Sequence, residues 1–262
     1  MKKKIVKKAV KKVKKDIKVK KSITKTGSHT HPGRPAKKPA TKTVQKKGAL
    51  TTKVQDADYW LNRPLDDKQR DWNYKESDWI WDYVASASHP HRDIIVEELN
   101  KLGSLGGILE VGCNAGPNLI RLQAAFPETQ LAGIDIVPEA IERAMTNMSK
   151  PIFKVGNVLS IPFEDKSFDC VLADAVLMYL QPKEINRALN EINRIVKRYV
   201  VLVERVSEKE KNNGFIWSRN YPKLLEDLGF SVQTRKLEEK DWPESEGWQK
   251  EGMIVVASRP QS

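Results

Sequence analysis

Residues 107–117 read Gly-Ile-Leu-Glu-Val-Gly-Cys-Asn-Ala-Gly-Pro, and this stretch decides the fold. The apolar run at 107–111 predicts a short buried strand that carries one acid, Glu110. Gly112 permits a turn that a side chain would block, Gly116 permits close approach by a ligand, and Pro117 suits the first turn of a helix. Ligands of doubly wound sheets bind beyond the carboxyl ends of the strands, so this turn is a predicted ligand site.

Strands and helices alternate on both sides of this turn. Further strands are predicted at 131–135, 152–155, 168–173, 199–204, 230–234 and 253–257, and helices at 75–88, 90–102, 117–126, 137–147, 182–197 and 221–228. This alternation predicts an α/β fold with a doubly wound, seven-stranded, mostly parallel sheet and helices on both faces. The final two strands have no long helix between them, which predicts an antiparallel hairpin at one edge of the sheet.

The glycine spacing excludes two common phosphate-binding loops. A dinucleotide fingerprint requires G-x-G-x-x-G, whereas this loop has glycines only at 112 and 116. A P-loop requires Gly-Lys-Ser/Thr, whereas Gly116 is followed by Pro117 and Asn118. An acid two residues before the first glycine disfavours a phosphate and favours a cationic group.

The motifs in this order resemble the class I S-adenosylmethionine-dependent methyltransferases of the small-molecule methyltransferase-domain type. The stretch 110–116 is similar to their first motif, E/D-x-G-x-G-x-G, and Gly-Ile-Asp at 133–135 is similar to the end of their second strand. Gly-Asn-Val at 156–158, with Ile-Pro-Phe at 161–163 and Ser-Phe-Asp at 167–169, resembles their "GDA…LPF…SFD" run. The resemblance spans roughly residues 107–258.

The resemblance implies S-adenosyl-L-methionine as the cofactor and a methyl acceptor as the substrate. The residues that it implies for the cofactor are Glu110, Gly112, Cys113, Asn114 and Gly116 at the methionine end, Asp135 at the ribose hydroxyls, Ile136, Asn157 and Val158 at the adenine, and Asp174. Two positions depart from the family pattern. Asn114 stands for the middle glycine and can adopt left-handed backbone, while Asn157 stands for an Asp and keeps an acceptor oxygen. Asp135 has a structural alternative as a helix cap.

Methyl transfer to a hydroxyl acceptor requires a base, and three residues are candidates for the catalytic groups. Asp174 follows the fourth strand, Tyr179 lies just beyond it, and His89 lies among the N-terminal helices. Each has a structural alternative, such as a helix cap for His89 and a core side chain for Tyr179. The two cysteines, Cys113 and Cys170, form neither a disulfide framework nor a zinc site by themselves, and no metal is predicted.

The charge is divided unevenly along the 262 residues, whose net charge is +12. Residues 1–53 carry 20 Lys and Arg against one acid, a net +19, whereas the other 209 residues carry 26 basic and 33 acidic side chains, a net −7. We therefore expect three parts: a basic, largely disordered tail at 1–53, an N-terminal helical cap at 54–106, and the cofactor-binding domain at 107–262. No stretch predicts a transmembrane helix or a secretory signal, and a cytoplasmic location is expected.

The tail leaves three hypotheses for function open. In the first, the protein methylates a small molecule and the tail only localises it. In the second, the protein methylates nucleic acid or a protein bound to it, and the tail supplies affinity through phosphate neutralisation. In the third, a methyltransferase fold serves as a scaffold for non-catalytic binding of nucleic acid. Gly33-Arg34-Pro35 resembles the core of an AT-hook, but a three-residue match favours a general polyanion-binding tail.

Overall fold

A computed structural model describes residues 57–63, 79–243 and 245–260 of the chain. The predictions for the tail at 1–53, including its polyanion binding, lie outside the described residues, as does the first part of the helix predicted at 75–88. Within the described residues, no helix is long and apolar enough to cross a membrane.

Seven strands form one sheet, with the order β3-β2-β1-β4-β5-β9-β8. The pairs from β3 to β5 are parallel, and β9 pairs antiparallel with both β5 and β8. The predicted doubly wound, mostly parallel sheet with an antiparallel edge is thereby confirmed. The strands are β1 Gly107–Val111, β2 Gln130–Asp135, β3 Ile152–Val155, β4 Phe168–Asp174, β5 Val196–Arg205, β8 Ser231–Lys236 and β9 Gly252–Ser258.

Helices cover both faces of the sheet. They are α1 Ala57–Leu61, α2 Trp79–Ala85, α3 His91–Lys101, α4 Pro117–Ala125, α5 Pro138–Asn147, α6 Pro182–Ile195, α7 Tyr221–Glu226 and α8 Glu246–Glu251. Proline lies in the first turn of α4, α5, α6 and α7, where the missing N–H removes no hydrogen bond. A capping box between Gln181 and Glu184 further fixes the start of α6.

The two faces of β1 separate the core into two layers. Ile108 packs with α2, α3, α4 and α5 in one layer, while Leu109 packs with α6 and α7 in the other. All five residues of β1 are buried, which explains why the strand reads as a continuous apolar run rather than an alternating one. The helices α2 and α3, which belong to the predicted cap, share the first core layer with the sheet.

Three features were not predicted from the sequence. The strand β9 lies between β5 and β8 instead of following β8 at the edge. The short helix α8 interrupts the connection from β8 to β9, and the two-residue strands β6 Lys211–Asn212 and β7 Trp217–Ser218 pair separately from the main sheet. The connection from β8 to β9 carries Trp242 and Trp248, both buried against the first core layer.

Candidate functional site

A cavity of about 220 Å³ opens at the carboxyl ends of β1, β2 and β4, where the strand order reverses direction. This is the position at which doubly wound sheets bind ligands. Nine of the ten residues implied for the cofactor line it, as do the three catalytic candidates, one of which, Asp174, belongs to both sets. These residues are Glu110, Gly112, Cys113, Asn114, Asp135, Ile136, Asn157, Val158, Asp174, Tyr179 and His89.

The loop after β1 has the left-handed backbone that its sequence suggests. Gly112, Asn114 and Gly116 have φ angles of 67°, 48° and 77°. The Asn114 side chain stabilises its own turn because Oδ1 accepts from the Ala115 N–H at 2.7 Å. Asparagine therefore replaces the middle glycine of the motif without changing the path of the loop.

The structure shows a packing reason for glycine at position 116. Gly116 is not among the residues that line the cavity, and a β-carbon there would meet Met148 Cε on the protein side. A β-carbon on Gly112 would likewise meet the Val176 side chain. These two glycines give the loop its left-handed turns and its packing, and close approach by a ligand at Gly116 stays a prediction.

Asp135 joins the loops that follow β1 and β2. Its Oδ2 accepts from the Asn114 N–H at 2.8 Å and its Oδ1 accepts from the Val137 N–H at 2.9 Å, just before α5 begins. These bonds do not make Asp135 a helix cap, because Val137 is the N-cap of α5 and that helix has no side-chain cap. Burial raises the pKa of Asp135 above its ordinary value, while hydrogen bonds from backbone N–H groups oppose that rise. Each oxygen keeps a further lone pair.

The turn after β3 forms the far wall of the cavity. The Asn157 Oδ1 atom accepts from the Leu159 N–H at 2.8 Å, so one lone pair of this oxygen serves the turn itself. Val158 is buried, and Ile136 is half-buried at the end of β2. These side chains give the wall an apolar surface with one amide group at its rim.

A buried polar cluster lies at the opposite end of the cavity. Asp174 Oδ2 accepts from His91 Nε2 at 2.9 Å, Arg92 Nη1 at 3.0 Å and Asn118 Nδ2 at 2.9 Å. Asn118 Nδ2 also donates to Glu110 Oε1 at 2.7 Å. Arg92 Nη1 donates to Asn118 Oδ1 at 2.6 Å, which fixes the orientation of the amide toward both acids.

Two acceptor atoms of this cluster lack a hydrogen bond. Among the described residues, Glu110 Oε2 and Asp174 Oδ1 are buried and have no partner. Burial raises the pKa of Glu110 to about 8, against the hydrogen bond from Asn118. Burial also acts to raise the pKa of Asp174, but His91, Arg92 and Asn118 together lower it below its ordinary value. The cluster therefore holds one firmly ionised acid beside one that is mostly protonated at neutral pH.

His89 joins this cluster through His91. The two Nδ1 atoms lie 2.5 Å apart, and His91 stacks on Trp242 with ring centroids 4.2 Å apart. The His89 side chain does not cap α3; that helix has no side-chain cap, and the His89 carbonyl accepts from the Arg92 N–H at 3.2 Å. Burial lowers the pKa of both histidines, that of His89 to about 4.

Tyr179 forms part of the aromatic wall. Its ring meets Trp60 edge to face, with centroids 5.2 Å apart. Burial raises the pKa of Tyr179 well above its ordinary value, so its hydroxyl stays protonated at neutral pH. Such a hydroxyl donates a hydrogen bond and does not act as a base.

Four residues of the site were missed by sequence reasoning. Arg92 and Asn118 lie in the first turns of two predicted helices, and their only signal is a polar side chain at the end of the helix that faces the predicted ligand site. Trp242 and Trp248 come from the connection between β8 and β9 and carry no local signal. The cysteines are both buried and unpaired, and no group of His, Cys, Asp or Glu within the described ranges could hold a metal.

Comparison with known proteins agrees with this arrangement. Residues 108–199 match the family model described as "Methyltransferase domain". An uncharacterized protein of Haemophilus influenzae is 32% identical over 96 residues, which are 34% of this chain and 38% of that protein. The malonyl-[acyl-carrier protein] O-methyltransferase of Hahella chejuensis is 30% identical over 105 residues, 37% of this chain and 38% of that enzyme. The chain thus spans less than half the length of these curated relatives.

A solved structure shares the fold over most of the chain. The magnesium protoporphyrin IX methyltransferase of Synechocystis, crystallised with bound S-adenosylmethionine, has a TM-score of 0.57 and 16% identity, covering 82% of this chain and 100% of that chain. This likeness shows that the described residues share the fold of that enzyme. Residues 108–199, which match the model described as "Methyltransferase domain", include all but the first residue of β1, the loop after it, and β2 to β4.

Proposed function

We propose that the protein transfers a methyl group from S-adenosylmethionine to a small-molecule acceptor. The observation that carries this proposal is the pair of buried, unpartnered oxygens, Glu110 Oε2 and Asp174 Oδ1, beside the loop after β1. Buried acceptors without a partner are costly, so a positively charged donor is the group that fits them. The ammonium group at the methionine end of the cofactor is such a donor.

The remaining residues fit the rest of the cofactor. The free lone pairs of Asp135 suit two neighbouring hydroxyls, as a ribose presents them. The Asn157 amide and the Val158 backbone suit the edge of an adenine, and Ile136 suits its apolar face. The backbone of Gly112, Cys113 and Asn114 is open to the cavity for the methionine end.

When bound, S-adenosylmethionine supplies a methyl group that is already activated toward displacement. The protein then has to orient the acceptor, exclude water and accept a proton where the acceptor is a hydroxyl. We assign Tyr179 to orientation, because its hydroxyl stays protonated in an aromatic wall. We assign His89 and Asp174 to handling of the acceptor proton.

A small acceptor is supported by the size and lining of the cavity. One cavity of about 220 Å³ adjoins the loop after β1, and Trp60, Tyr83, Tyr179, Trp242 and Trp248 contribute aromatic surface to it. The names of the reported relatives include an O-methyltransferase and an enzyme of magnesium protoporphyrin IX. The domain outside the tail carries a net −7, which disfavours a polyanionic substrate.

Titration calorimetry with S-adenosylhomocysteine tests cofactor binding. We expect the full chain to bind, and Asp135→Ala to weaken binding at least tenfold because two ribose hydrogen bonds and the loop anchor are lost. Glu139→Gln is the matched control: Glu139 is an exposed acid in the first turn of α5, close to Asp135 in sequence and outside the cavity. No binding by the full chain, or equal binding by Asp135→Ala, contradicts the proposal.

We propose that the tail localises the protein without defining its acceptor. Deleting residues 1–53 is then expected to leave S-adenosylhomocysteine affinity unchanged and to abolish low-salt binding to duplex DNA, used as a polyanion probe. If the deletion instead reduces turnover on the true acceptor steeply at low salt, the tail belongs to substrate binding, and the nucleic-acid hypothesis replaces this one.

A further inference from the structure

Three side chains form a continuous hydrogen-bonded chain from the cavity to the buried acid cluster. His89 lines the cavity, its Nδ1 lies 2.5 Å from His91 Nδ1, and His91 Nε2 lies 2.9 Å from Asp174 Oδ2. His91 is 2% exposed and His89 is half-buried. Of the two histidines, His89 is therefore the one more open to a ligand in the cavity.

The positions of the protons on the two histidines follow from the ionised state of Asp174. Asp174 is held as a carboxylate, so it only accepts, and His91 Nε2 must carry the proton that it shares with Asp174. A neutral His91 then has its lone pair on Nδ1, and His89 Nδ1 must donate to it. This assignment leaves the lone pair of His89 on Nε2, for which no hydrogen-bond partner is found in the described part of the chain.

Two stacked tryptophans hold the hydrogen-bonded side chains of His89, His91 and Asp174 in place. The Trp242 ring lies against His91 at 4.2 Å with an angle of 25° between the planes, and Trp248 stacks behind it at 3.9 Å with an angle of 9°. The turn that carries Trp242 is fixed by Asp241, whose Oδ2 accepts from the Glu238 N–H at 3.0 Å. The His91 ring therefore has little freedom to turn away from its two partners.

We infer that His89, His91 and Asp174 form a hydrogen-bonded relay, in which His89 Nε2 is the base for a hydroxyl acceptor carried on a flat apolar molecule. His91 and Asp174 take up no proton themselves. His91 and Asp174 are positioning residues because they act through His89. The inference rests on the proposed function and adds the acceptor atom and the acceptor class to it.

Each proton and each electron pair of this step is accounted for. The hydroxyl proton moves to His89 Nε2, and the acceptor oxygen keeps the electron pair with which it attacks the methyl group. The positive charge that forms on His89 is stabilised through His91 by the carboxylate of Asp174, and the proton later leaves Nε2 to solvent. A carboxylate acceptor needs no base, which is why a base facing the cavity points to a hydroxyl.

The aromatic wall indicates the body that carries this hydroxyl. Trp60 and Tyr179 meet edge to face on one side of the cavity, and Trp242 with His89 lies on another, their centroids 5.0 Å apart. His91 and Trp248 cover the two faces of Trp242, so a flat ring would pack on Trp60 and Tyr179 and meet Trp242 at its edge. A phenol or an alcohol attached to a ring therefore fits better than a long flexible chain.

Nitrogen-15 NMR of the histidine-labelled full chain tests the proton positions, because the chain has only four histidines. We expect His91 to carry its proton on Nε2 and His89 to carry its proton on Nδ1, the less common neutral form. In His91→Phe, the ring can keep its stack on Trp242 but presents no acceptor to His89, so His89 is expected to return to the Nε2-protonated form. A proton on Nε2 of His89 in the wild-type chain overturns the relay.

Reaction with diethyl pyrocarbonate, mapped by mass spectrometry, tests whether His89 Nε2 is a free nucleophile. The charged and titratable groups that act on His89 are His91 and Arg92 on α3 and Asp174 on β4. From pH 7.5 to 5.5, an N-acetylhistidine standard in the same tube should react about tenfold more slowly, since its pKa is about 6.5. His89, with a pKa of about 4, should keep nearly its full rate, and His91 should stay unmodified. Parallel loss of rate in His89 and the standard, or no reaction of His89, overturns the inference.

Titration with S-adenosylhomocysteine separates this inference from the proposed function. A chain that binds S-adenosylhomocysteine but carries the His89 proton on Nε2 retains the proposed function and lacks the relay. A chain that fails to bind S-adenosylhomocysteine contradicts the proposed function, whatever form the histidines take.

Discussion

Two residues other than glycine have positive φ angles beside the cavity, Asn114 at 48° and Ala175 at 56°. Left-handed backbone costs an L-residue with a β-carbon roughly 1–2 kcal/mol, and asparagine less because its side chain bonds locally. Backbone of this kind is concentrated at functional sites, where neighbouring packing enforces it. Here the two strained positions follow β1 and β4, the two strands that bracket the reversal in strand order.

Asn114 provides a test of this strain. Asn114→Ala is expected to reduce the free energy of unfolding by about 1–2 kcal/mol, because it removes the bond to the Ala115 N–H and leaves a β-carbon at positive φ. Asn114→Gly is expected to lie within about 0.5 kcal/mol of the wild type. Urea denaturation measures both, and equal stability of Asn114→Ala and the wild type contradicts the explanation.

Glu110 links cofactor binding to a proton. Its pKa of about 8 leaves it mostly protonated at pH 7, whereas an ammonium group beside Oε2 favours the carboxylate. Binding of S-adenosylhomocysteine at pH 7 is therefore expected to release close to one proton. Calorimetry in buffers of different ionisation enthalpy measures that number.

The matched variants for this prediction are Glu110→Gln and Glu139→Gln. Glu110→Gln has no proton to release and should show no dependence of the binding enthalpy on the buffer. Glu139→Gln should behave as the wild type does. Proton release that survives in Glu110→Gln assigns it to another group and refutes this role for Glu110.

The motif residues could be predicted from the sequence, but their partners could not. Glu110 and Asp135 occupy fixed places relative to strand ends, so their neighbourhood follows from the motif alone. Arg92 and Asn118 reach Asp174 from 82 and 56 positions away along the chain. Nothing local encodes such contacts, because they depend on how α3 and α4 pack against β4.

At the level of elements, the turn after β4 is held from two sides. Glu204, at the end of β5, accepts from the N–H groups of Val176, Leu177 and Met178. Arg219 is 1% exposed and donates to the carbonyls of Leu177 and Leu180. The turn that carries Tyr179 is thus fixed through both its donors and its acceptors.

Replacing Arg219 should loosen this turn. Arg219→Met removes the donor to the Leu180 carbonyl, one of two donors to the Leu177 carbonyl and the ion pair with Glu210, and is expected to cost at least about 2 kcal/mol in the free energy of unfolding. Arg187→Met is the control, since Arg187 also donates to a carbonyl, that of Leu159, but is exposed and should change stability by less than about 0.5 kcal/mol. Chemical denaturation compares the two variants, and equal losses contradict the argument.

The extent of each large element followed well from periodicity and turn residues. The strands β1 and β3 have the predicted bounds, and the helices α4 and α5 differ by one residue at one end. The place of β9 in the sheet did not follow, because a local pattern specifies a strand but not the neighbour with which it pairs. The short helix α8 was missed because six residues carry too little periodicity.

At the level of the whole molecule, two buried acids set the pH dependence of stability. Burial raises the pKa of both Glu110 and Glu204 to about 8. In the unfolded chain both acids ionise near pH 4.5, so above that pH the folded state binds more protons and stability falls as pH rises toward 8. The buried histidines act in the opposite direction, because the unfolded chain takes up protons on them as the pH falls toward and below about 6.5, and this weakens the slope at the low end of the range.

The change in the free energy of unfolding between pH 6.5 and 8 is therefore governed by Glu110 and Glu204. We expect the free energy of unfolding to fall across this window, by at most about 1.4 kcal/mol per pH unit for each acid. Glu110→Gln and Glu204→Gln should each flatten the slope, whatever their effect on absolute stability. Urea denaturation at four pH values checks this, and a slope that rises with pH refutes it.

The strand order also constrains the sequence of events during synthesis on the ribosome. Among the described strands β8 pairs only with β9, yet it leaves the exit tunnel before β9 does. Until β9 docks against β5, β8 has no partner in the sheet, and the connection that brings Trp242 to His91 has no fixed end. The nascent chain can thus complete the loop after β1 while its aromatic wall is still open, so the acceptor side of the cavity is expected to mature after the cofactor side.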